Sequence, residues 1–133
     1  MSREPTIPMS PNQLPQQRLY EVVGLPERPE PFEFDVAVPE QAKAAVKAAE
    51  SAFGGLNILV NVAAAVTPDA PVEKLPFEEW NRAFSVNLSG PFLMAKFAIP
   101  AIRASKGGAI INMASQLGTI GVPNRSAYCT TKA

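Results

Sequence analysis

Leu56-Asn-Ile-Leu-Val-Asn-Val-Ala63 is a short and almost continuous apolar run in a chain of 133 residues. Runs of this length and composition are typical of a strand that is buried on both faces of a parallel sheet. A second run of the same kind lies at Ala109-Ile-Ile-Asn-Met-Ala-Ser115. Because helical sequence separates the two runs, they predict parallel strands that are joined by crossover helices.

Three segments with helical character surround these runs. Residues 39–53 carry small apolar side chains at the i, i+3, i+4, i+7 and i+11 spacing of one helix stripe. Acidic residues near the start of 77–104 favour a longer helix there, and 124–133 predicts a last one. The order of strands and helices therefore predicts an α/β fold with a doubly wound sheet.

Local signals mark where these helices are expected to bend or begin. Pro91 and Pro100 both fall inside the long helical segment and are expected to kink or interrupt it. Asn124 and Ser126 are the two candidates for the residue that caps the last helix.

The first part of the chain differs from the rest in composition. Eight of the 14 prolines fall within residues 1–40 and six within 41–133. No helical or alternating period persists in residues 1–34, so too little apolar surface is available to offset the ordering entropy. We expect a proline-rich, largely irregular segment over 1–34, a short strand at 31–36, and a domain over 35–133.

Composition excludes several classes of function. Twelve basic residues balance twelve acidic ones, which argues against nucleic acid as a partner. The chain has no histidine and one cysteine, Cys129, which excludes imidazole chemistry, an internal disulfide and a Cys-rich metal site. No apolar stretch reaches the roughly 18 residues of a membrane span, and the N-terminus does not resemble a secretory signal. We expect a cytoplasmic protein with no metal and no membrane contact.

One pair of side chains has the spacing that proton chemistry needs. Tyr128 and Lys132 lie four residues apart, on one face of the last helix. A nearby positive charge favours the phenolate and so lowers the pKa of a phenol toward the useful range. Ser115 ends the second apolar run, where the ligand crevice of an open parallel sheet forms. The alternatives are a surface tyrosine beside a solvated lysine, and a serine that caps a turn.

Several motifs together resemble the short-chain dehydrogenases/reductases. Ile111-Asn-Met-Ala-Ser115 followed by Tyr128-Cys-Thr-Thr-Lys132 is similar to the family's catalytic region. Val86-Asn-Leu-Ser-Gly90 resembles its Asn-containing motif, and Leu59-Val-Asn-Val-Ala-Ala64 resembles its strand that ends in Asn-Asn-Ala-Gly. Asp35-Val36 resembles the acidic residue after its third strand. The resemblance implies a Rossmann-like doubly wound parallel sheet that is incomplete, with the first and last strands missing.

The resemblance also implies an activity and four catalytic roles. The chain would be an NAD(P)-dependent oxidoreductase that transfers hydride between nicotinamide and a small-molecule carbonyl or alcohol. Tyr128 would be the general acid/base, and Lys132 would lower its pKa and hold the nicotinamide ribose. Ser115 would orient the substrate carbonyl, and Asn87 would help to hold a water that links Lys132 to solvent.

Further cofactor contacts follow from the same resemblance. Asp35 would contact the adenine, while Asn61 and Ala63 would line the cofactor side of the central strand. NAD and NADP both stay open, because the segment that selects between them is absent from this sequence. The Ser115-Gln116 dipeptide is also seen in sugar and polyol reductases of the family.

Three departures from the family pattern lead to an alternative. No Thr-Gly-x-x-x-Gly-x-Gly turn, which cradles the pyrophosphate, occurs in residues 1–34. The chain ends at Ala133, directly after the catalytic helix motif, and Val62 and Ala64 replace the family's second Asn and its Gly. We therefore expect a truncated family member.

The alternative function is a non-catalytic remnant that acts at most through oligomerisation. The resemblance implies a homo-oligomer whose interface is formed by the helices over 77–104 and 124–133.

Overall fold

The computed structural model describes residues 31–133. Most of the expected irregular segment 1–34 therefore lies outside the described residues. Short 3₁₀ turns occur at Val72–Lys74 and Gln116–Gly118, and a π-helical turn at Ser85–Ser89 joins two helices. The main elements are α1 (Pro39–Phe53), β1 (Ile58–Asn61), α2 (Phe77–Phe84), α3 (Gly90–Ala104), β2 (Ala109–Asn112) and α4 (Ser126–Lys132).

The first helix has the bounds that the sequence predicts. Pro39 occupies the first helical position, where its missing N–H group costs nothing. Gly54 ends the helix in the left-handed conformation, with φ of 73°, and its N–H donates to the Glu50 carbonyl. Ala42 and Val46 of the apolar stripe are buried. The helix therefore packs through the face that its periodicity predicts.

The two strands form a parallel sheet, as predicted. Ile58 lies opposite Ala109, and Asn61 lies opposite Asn112. Leu59 is buried in the core that the sheet shares with α1 and α3. The buried members of this core are Ala42, Val46, Leu59, Leu93, Met94, Ala98 and Ile102.

The prediction that these strands are buried on both faces is wrong for the described part of the chain. Ile58, Val60 and Ile111 are 60%, 50% and 49% exposed. Successive side chains point to opposite faces of a strand, and α1 and α3 pack against the Leu59 face only. Nothing within residues 31–133 buries the opposite face.

The predicted short strand at 31–36 is also wrong, since those residues have no strand structure. Local hydrogen bonds take up their backbone groups instead. The N–H of Ala37 donates to the Asp35 carboxylate at 2.8 Å, and the N–H of Asp35 donates to Gln41 Oε1 at 2.8 Å. Asp35 therefore forms a turn in front of α1. Within residues 31–133 the sheet has two strands, β1 and β2.

The long helix spans the predicted residues, but it changes its pitch in the middle. Gly90 N–H donates to the Ser85 carbonyl, five residues back, in the π-helical turn. Pro91 is the next residue, and it has no N–H group to donate to the carbonyl of the residue four positions earlier. The π turn therefore lies where proline removes an α-helical bond. Pro100 does not interrupt α3, which continues to Ala104.

Gly108 is a position at which the strand pairing leaves no space for a side chain. A Cβ there would overlap the carbonyl oxygen of Asn57, the same oxygen that accepts the Ala109 N–H at 2.9 Å. A Cβ at Gly121 would meet nothing within 4 Å. The two glycines therefore form a matched pair for substitution.

We predict that Gly108→Ala lowers the free energy of unfolding by about 1–3 kcal/mol, because backbone must shift to relieve the overlap. Gly121→Ala is expected to leave it unchanged. Urea denaturation followed by circular dichroism measures both values. Equal midpoints for the two variants would contradict the pairing of β1 with β2.

Candidate active site

A cleft of about 270 Å³ opens at the carboxyl ends of β1 and β2. Asn61 and Asn112 end the two strands side by side, and Asn61 Nδ2 donates to Asn112 Oδ1 at 2.8 Å. The side-chain pair ties the strand ends together at the cleft. Residues that line it include Asn61, Ala63, Asn87, Asn112, Thr131 and Lys132.

Asn87 lies in the π turn and is 6% exposed. Its Oδ1 accepts the Ala65 N–H at 2.7 Å, and its Nδ2 donates to the Ala65 carbonyl at 3.0 Å. The Nδ2 group also donates to Thr131 Oγ1 at 2.9 Å. One buried amide therefore joins the loop after β1 to α4.

The two residues directly before α4 are held by the same loop. Ala70 N–H donates to the Asn124 carbonyl at 3.2 Å, and Arg125 forms an ion pair with Asp69. Neither of the predicted caps is confirmed, since Arg125 is the N-cap and its side chain makes no capping hydrogen bond. Asn124 instead has a positive φ of 62° in the turn before it. The backbone bond from Ala70 therefore holds the turn before α4.

Tyr128 and Lys132 lie one turn apart on α4, and both are half-buried. Lys132 Nζ is 6.0 Å from the centroid of the Tyr128 ring. The ammonium donates to the Met113 carbonyl at 2.7 Å, one residue beyond β2. This contact fixes the positive charge at the strand ends and beside the phenol.

Ser115 lies two residues after Met113, at the start of a 3₁₀ turn. Its Oγ accepts the Leu117 N–H at 3.2 Å, so the turn-capping alternative describes what the side chain does in this structure. Such a bond uses an oxygen lone pair and leaves the hydroxyl proton free to donate. A Cβ on Gly118 would overlap the Lys132 carbonyl, so this turn packs closely on the end of α4.

Asp35 lies outside this cleft, in an open groove of about 850 Å³. The groove is lined by Phe32, Asp35, Ala63 and Val86, among others. Ala63 lines both spaces, so the two adjoin at the end of β1. The structure thus brings Asn61, Ala63, Asn87 and Lys132 together in the cleft, and it places Asp35 in the adjoining groove. Tyr128 and Ser115 are not among the residues that line either space.

Sequence reasoning missed two residues that build this site. Gly118 lets the Ser115 turn approach α4, and only the three-dimensional contact identifies that role. Thr131 is 5% exposed and bonds Asn87. Its position four residues after the buried Ala127 is the one sequence signal that marks it as inward-facing.

Metal-binding clusters and membrane-spanning helices are both absent from the described part of the chain. No group of at least three Cys, Asp or Glu side chains in residues 31–133 is arranged to hold a metal ion. Within the same range, every helix is too short or too polar to span a bilayer.

The fold and the site define a class of protein. A parallel sheet is covered by helices on one face, and a helix with Tyr and Lys one turn apart reaches the strand ends through Lys132. Residues 11–133 match the family model described as short chain dehydrogenase. The chain belongs to the short-chain dehydrogenase/reductase family, and the Rossmann-like fold expected from the sequence is confirmed.

Individual relatives agree with this assignment. The chain is 41% identical to D-threitol dehydrogenase of Mycolicibacterium smegmatis over 101 residues, 76% of this chain and 38% of that protein. NAD+-bound xylitol dehydrogenase superimposes with a TM-score of 0.70 at 32% identity, over 74% of this chain and 38% of that one. The structure of ElxO with NADP bound superimposes with a TM-score of 0.69 at 28% identity, over 74% of this chain and 40% of that one. The chain thus spans less than half the length of these proteins.

Two contacts that anchor α4 differ in their expected energetic weight. Asn87→Ala leaves the N–H and carbonyl of Ala65 buried without their partner, so it should cost roughly 2–4 kcal/mol of unfolding free energy. Asp69→Asn removes an ion pair in which Asp69 is 60% exposed, which should cost less than about 1 kcal/mol.

Urea denaturation compares these two variants, with Asn81→Ala on the exposed face of α2 as the control. A larger loss for Asp69→Asn than for Asn87→Ala would show that the ion pair, and not the buried amide, is the stronger anchor of α4.

Proposed function

We propose that this chain is an NAD(P)-dependent oxidoreductase that interconverts an alcohol and a carbonyl compound, with Tyr128 as the acid/base. The observation that carries the proposal is the anchoring of α4. Asn87 holds the helix through Thr131, and Lys132 reaches the Met113 carbonyl at 2.7 Å. Both contacts hold the helix that carries Tyr128, and the second keeps the Lys132 ammonium at the strand ends, where open parallel sheets bind ligands.

The donors and the space in the cleft fit the nicotinamide end of NAD(P). Lys132 and Asn61 supply an ammonium and an amide, which suit the hydroxyl groups of a ribose. Ala63 contributes only a methyl group, so the end of β1 stays open to a flat ring. When bound, NAD(P) accepts or supplies the hydride.

The adjoining groove fits an uncharged part of the same cofactor. Its lining within residues 31–133 includes two carboxylates, Glu33 and Asp35, and no basic side chain. Carboxylates accept hydrogen bonds from amino groups but repel phosphate, so the groove suits the adenine ring, which is uncharged in both NAD and NADP. We assign Asp35 to that contact. The described residues that line the groove include no pyrophosphate anchor, and NAD and NADP both stay open.

The remaining residues act on the substrate oxygen and the proton. Tyr128 removes the hydroxyl proton from an alcohol, or returns a proton to the oxygen in the reverse direction. Ser115 donates the free proton of its hydroxyl to the same oxygen. Asn87 acts mainly through position, because both of its N–H groups already have protein partners. Its oxygen keeps one lone pair for a water that connects Lys132 to solvent.

A small polyol is the substrate class with the most support. Two of the similar proteins are named for acting on polyols, threitol and xylitol. A polyol panel is therefore the first to assay, with simple alcohols and ketones beside it.

The alternative function, a non-catalytic protein that associates with copies of itself, is favoured by one observation. Phe92 and Leu88, on the long helix expected to form an oligomer interface, are 64% and 46% exposed. Large apolar side chains exposed together often mark contact surfaces. A substitution of Tyr128 distinguishes the two functions, because only the enzymatic function depends on this residue.

We predict that Tyr128→Phe lowers the rate of NAD(P)-linked polyol oxidation by about 10²–10⁴-fold, the usual contribution of a positioned acid/base. Tyr20→Phe, which changes the second tyrosine of the sequence, is the control and should keep the wild-type rate. Absorbance at the wavelength of the reduced nicotinamide measures both. A wild-type chain that transfers no hydride with any member of the panel would contradict the proposed function.

A further inference from the structure

Thr131 occupies a special place on α4. It is 5% exposed, whereas its neighbour Thr130 is exposed. Its Oγ1 accepts a hydrogen bond from Asn87 Nδ2 at 2.9 Å and donates to the Tyr128 carbonyl at 3.0 Å. The side chain therefore touches both the π turn and the backbone of the residue proposed to transfer the proton.

These bonds form a chain with a single direction. The Ala65 N–H donates to Asn87, Asn87 donates to Thr131, and Thr131 donates to the Tyr128 carbonyl. Because the hydroxyl proton is committed to Tyr128, a lone pair of Thr131 is left facing the amide. Without this hydroxyl, one N–H of the buried Asn87 has no acceptor, which disfavours the native position of the helix.

Packing and hydrogen bonding control different motions of α4. Ala127 is fully buried one turn before Thr131, so its methyl group sets how closely the helix approaches the rest of the domain. Apolar contact of this kind has no direction. The hydrogen bond of the Thr131 hydroxyl group is directional, so it resists rotation of α4 about the helix axis.

We propose that Thr131 is a positioning residue, which sets the rotation of α4 and so orients Tyr128 and directs Lys132 into the cleft. The inference rests on the proposed function for its effect on rate, although the anchoring itself can be tested without turnover. The link to rate is strong, because a misplacement of about 1 Å at a reacting group can cost about 10²-fold.

Two substitutions and one control separate the hydroxyl from the shape of the side chain. Thr131→Val keeps the branched shape and removes the hydroxyl, while Thr131→Ser keeps the hydroxyl. Thr130→Val makes the same change one residue earlier, where Oγ1 bonds the Ser126 carbonyl within its own helix and no other described residue. The three variants are compared with the wild-type chain.

The first measurement is the rate at which 5,5′-dithiobis(2-nitrobenzoate) labels Cys129, the only cysteine of the chain and a half-buried residue of α4. Thr131→Val should accelerate labelling by roughly tenfold, because loss of a buried hydrogen bond eases local opening. Thr131→Ser and Thr130→Val should label as the wild type does. Equal rates in all of these proteins would overturn the proposal.

The second measurement is kcat, with its pH profile, at saturating cofactor and polyol. Thr131→Val should lower kcat and change the pH profile, and Thr131→Ser should restore both. Substitution of a residue that only stabilises the fold would change the fraction of active protein and leave the pH profile of kcat unaltered. An unaltered pH profile in Thr131→Val would therefore overturn the positioning role. If the wild type shows no hydride transfer, the proposed function fails, and the labelling rates alone decide whether Thr131 anchors the helix.

Discussion

The buried amide of Asn87 is the contact on which the rest of the site depends. Its oxygen and both of its N–H groups are paired, with Ala65 on one side and Thr131 on the other. An unpaired amide at this depth would be costly, so the loop after β1, the π turn and α4 are stable only in one mutual arrangement. Pro91 contributes by removing an α-helical bond beside the π turn that carries Asn87. Local backbone chemistry thus places a polar residue where three segments meet.

The sheet has two very different faces. One packs Leu59 against α1 and α3, and the other exposes Ile58, Val60, Val62 and Ile111. Strict alternation along both strands puts these apolar side chains on one surface, and an apolar surface of this kind favours association. The site lies at the strand ends and is built from loops and α4. Its internal bonds do not involve the exposed face.

Sequence reasoning succeeded where local signals decide the structure. Pro39 and Gly54 bound α1 because each fixes the backbone by itself, and Tyr128 and Lys132 share a helix face because their spacing requires it. It failed where the answer depends on distant residues. Whether Val60 is buried depends on what covers the sheet, and a one-dimensional pattern does not contain that information. The link between Asn87 and α4 spans 44 positions in sequence, so no local signal reveals it.

Binding of reduced nicotinamide tests the central claim most directly, since the cleft is assigned to that group. Trp80 is the only tryptophan of the chain, and it stacks on Phe84 with ring centroids 4.6 Å apart. Its emission overlaps the absorption of NADH and NADPH, so titration with each should quench Trp80 and sensitise nicotinamide fluorescence. We expect saturable energy transfer with at least one of them, and a loss of it in Lys132→Met. A chain that is folded by circular dichroism and shows no transfer with either cofactor would contradict the assignment of the cleft to nicotinamide.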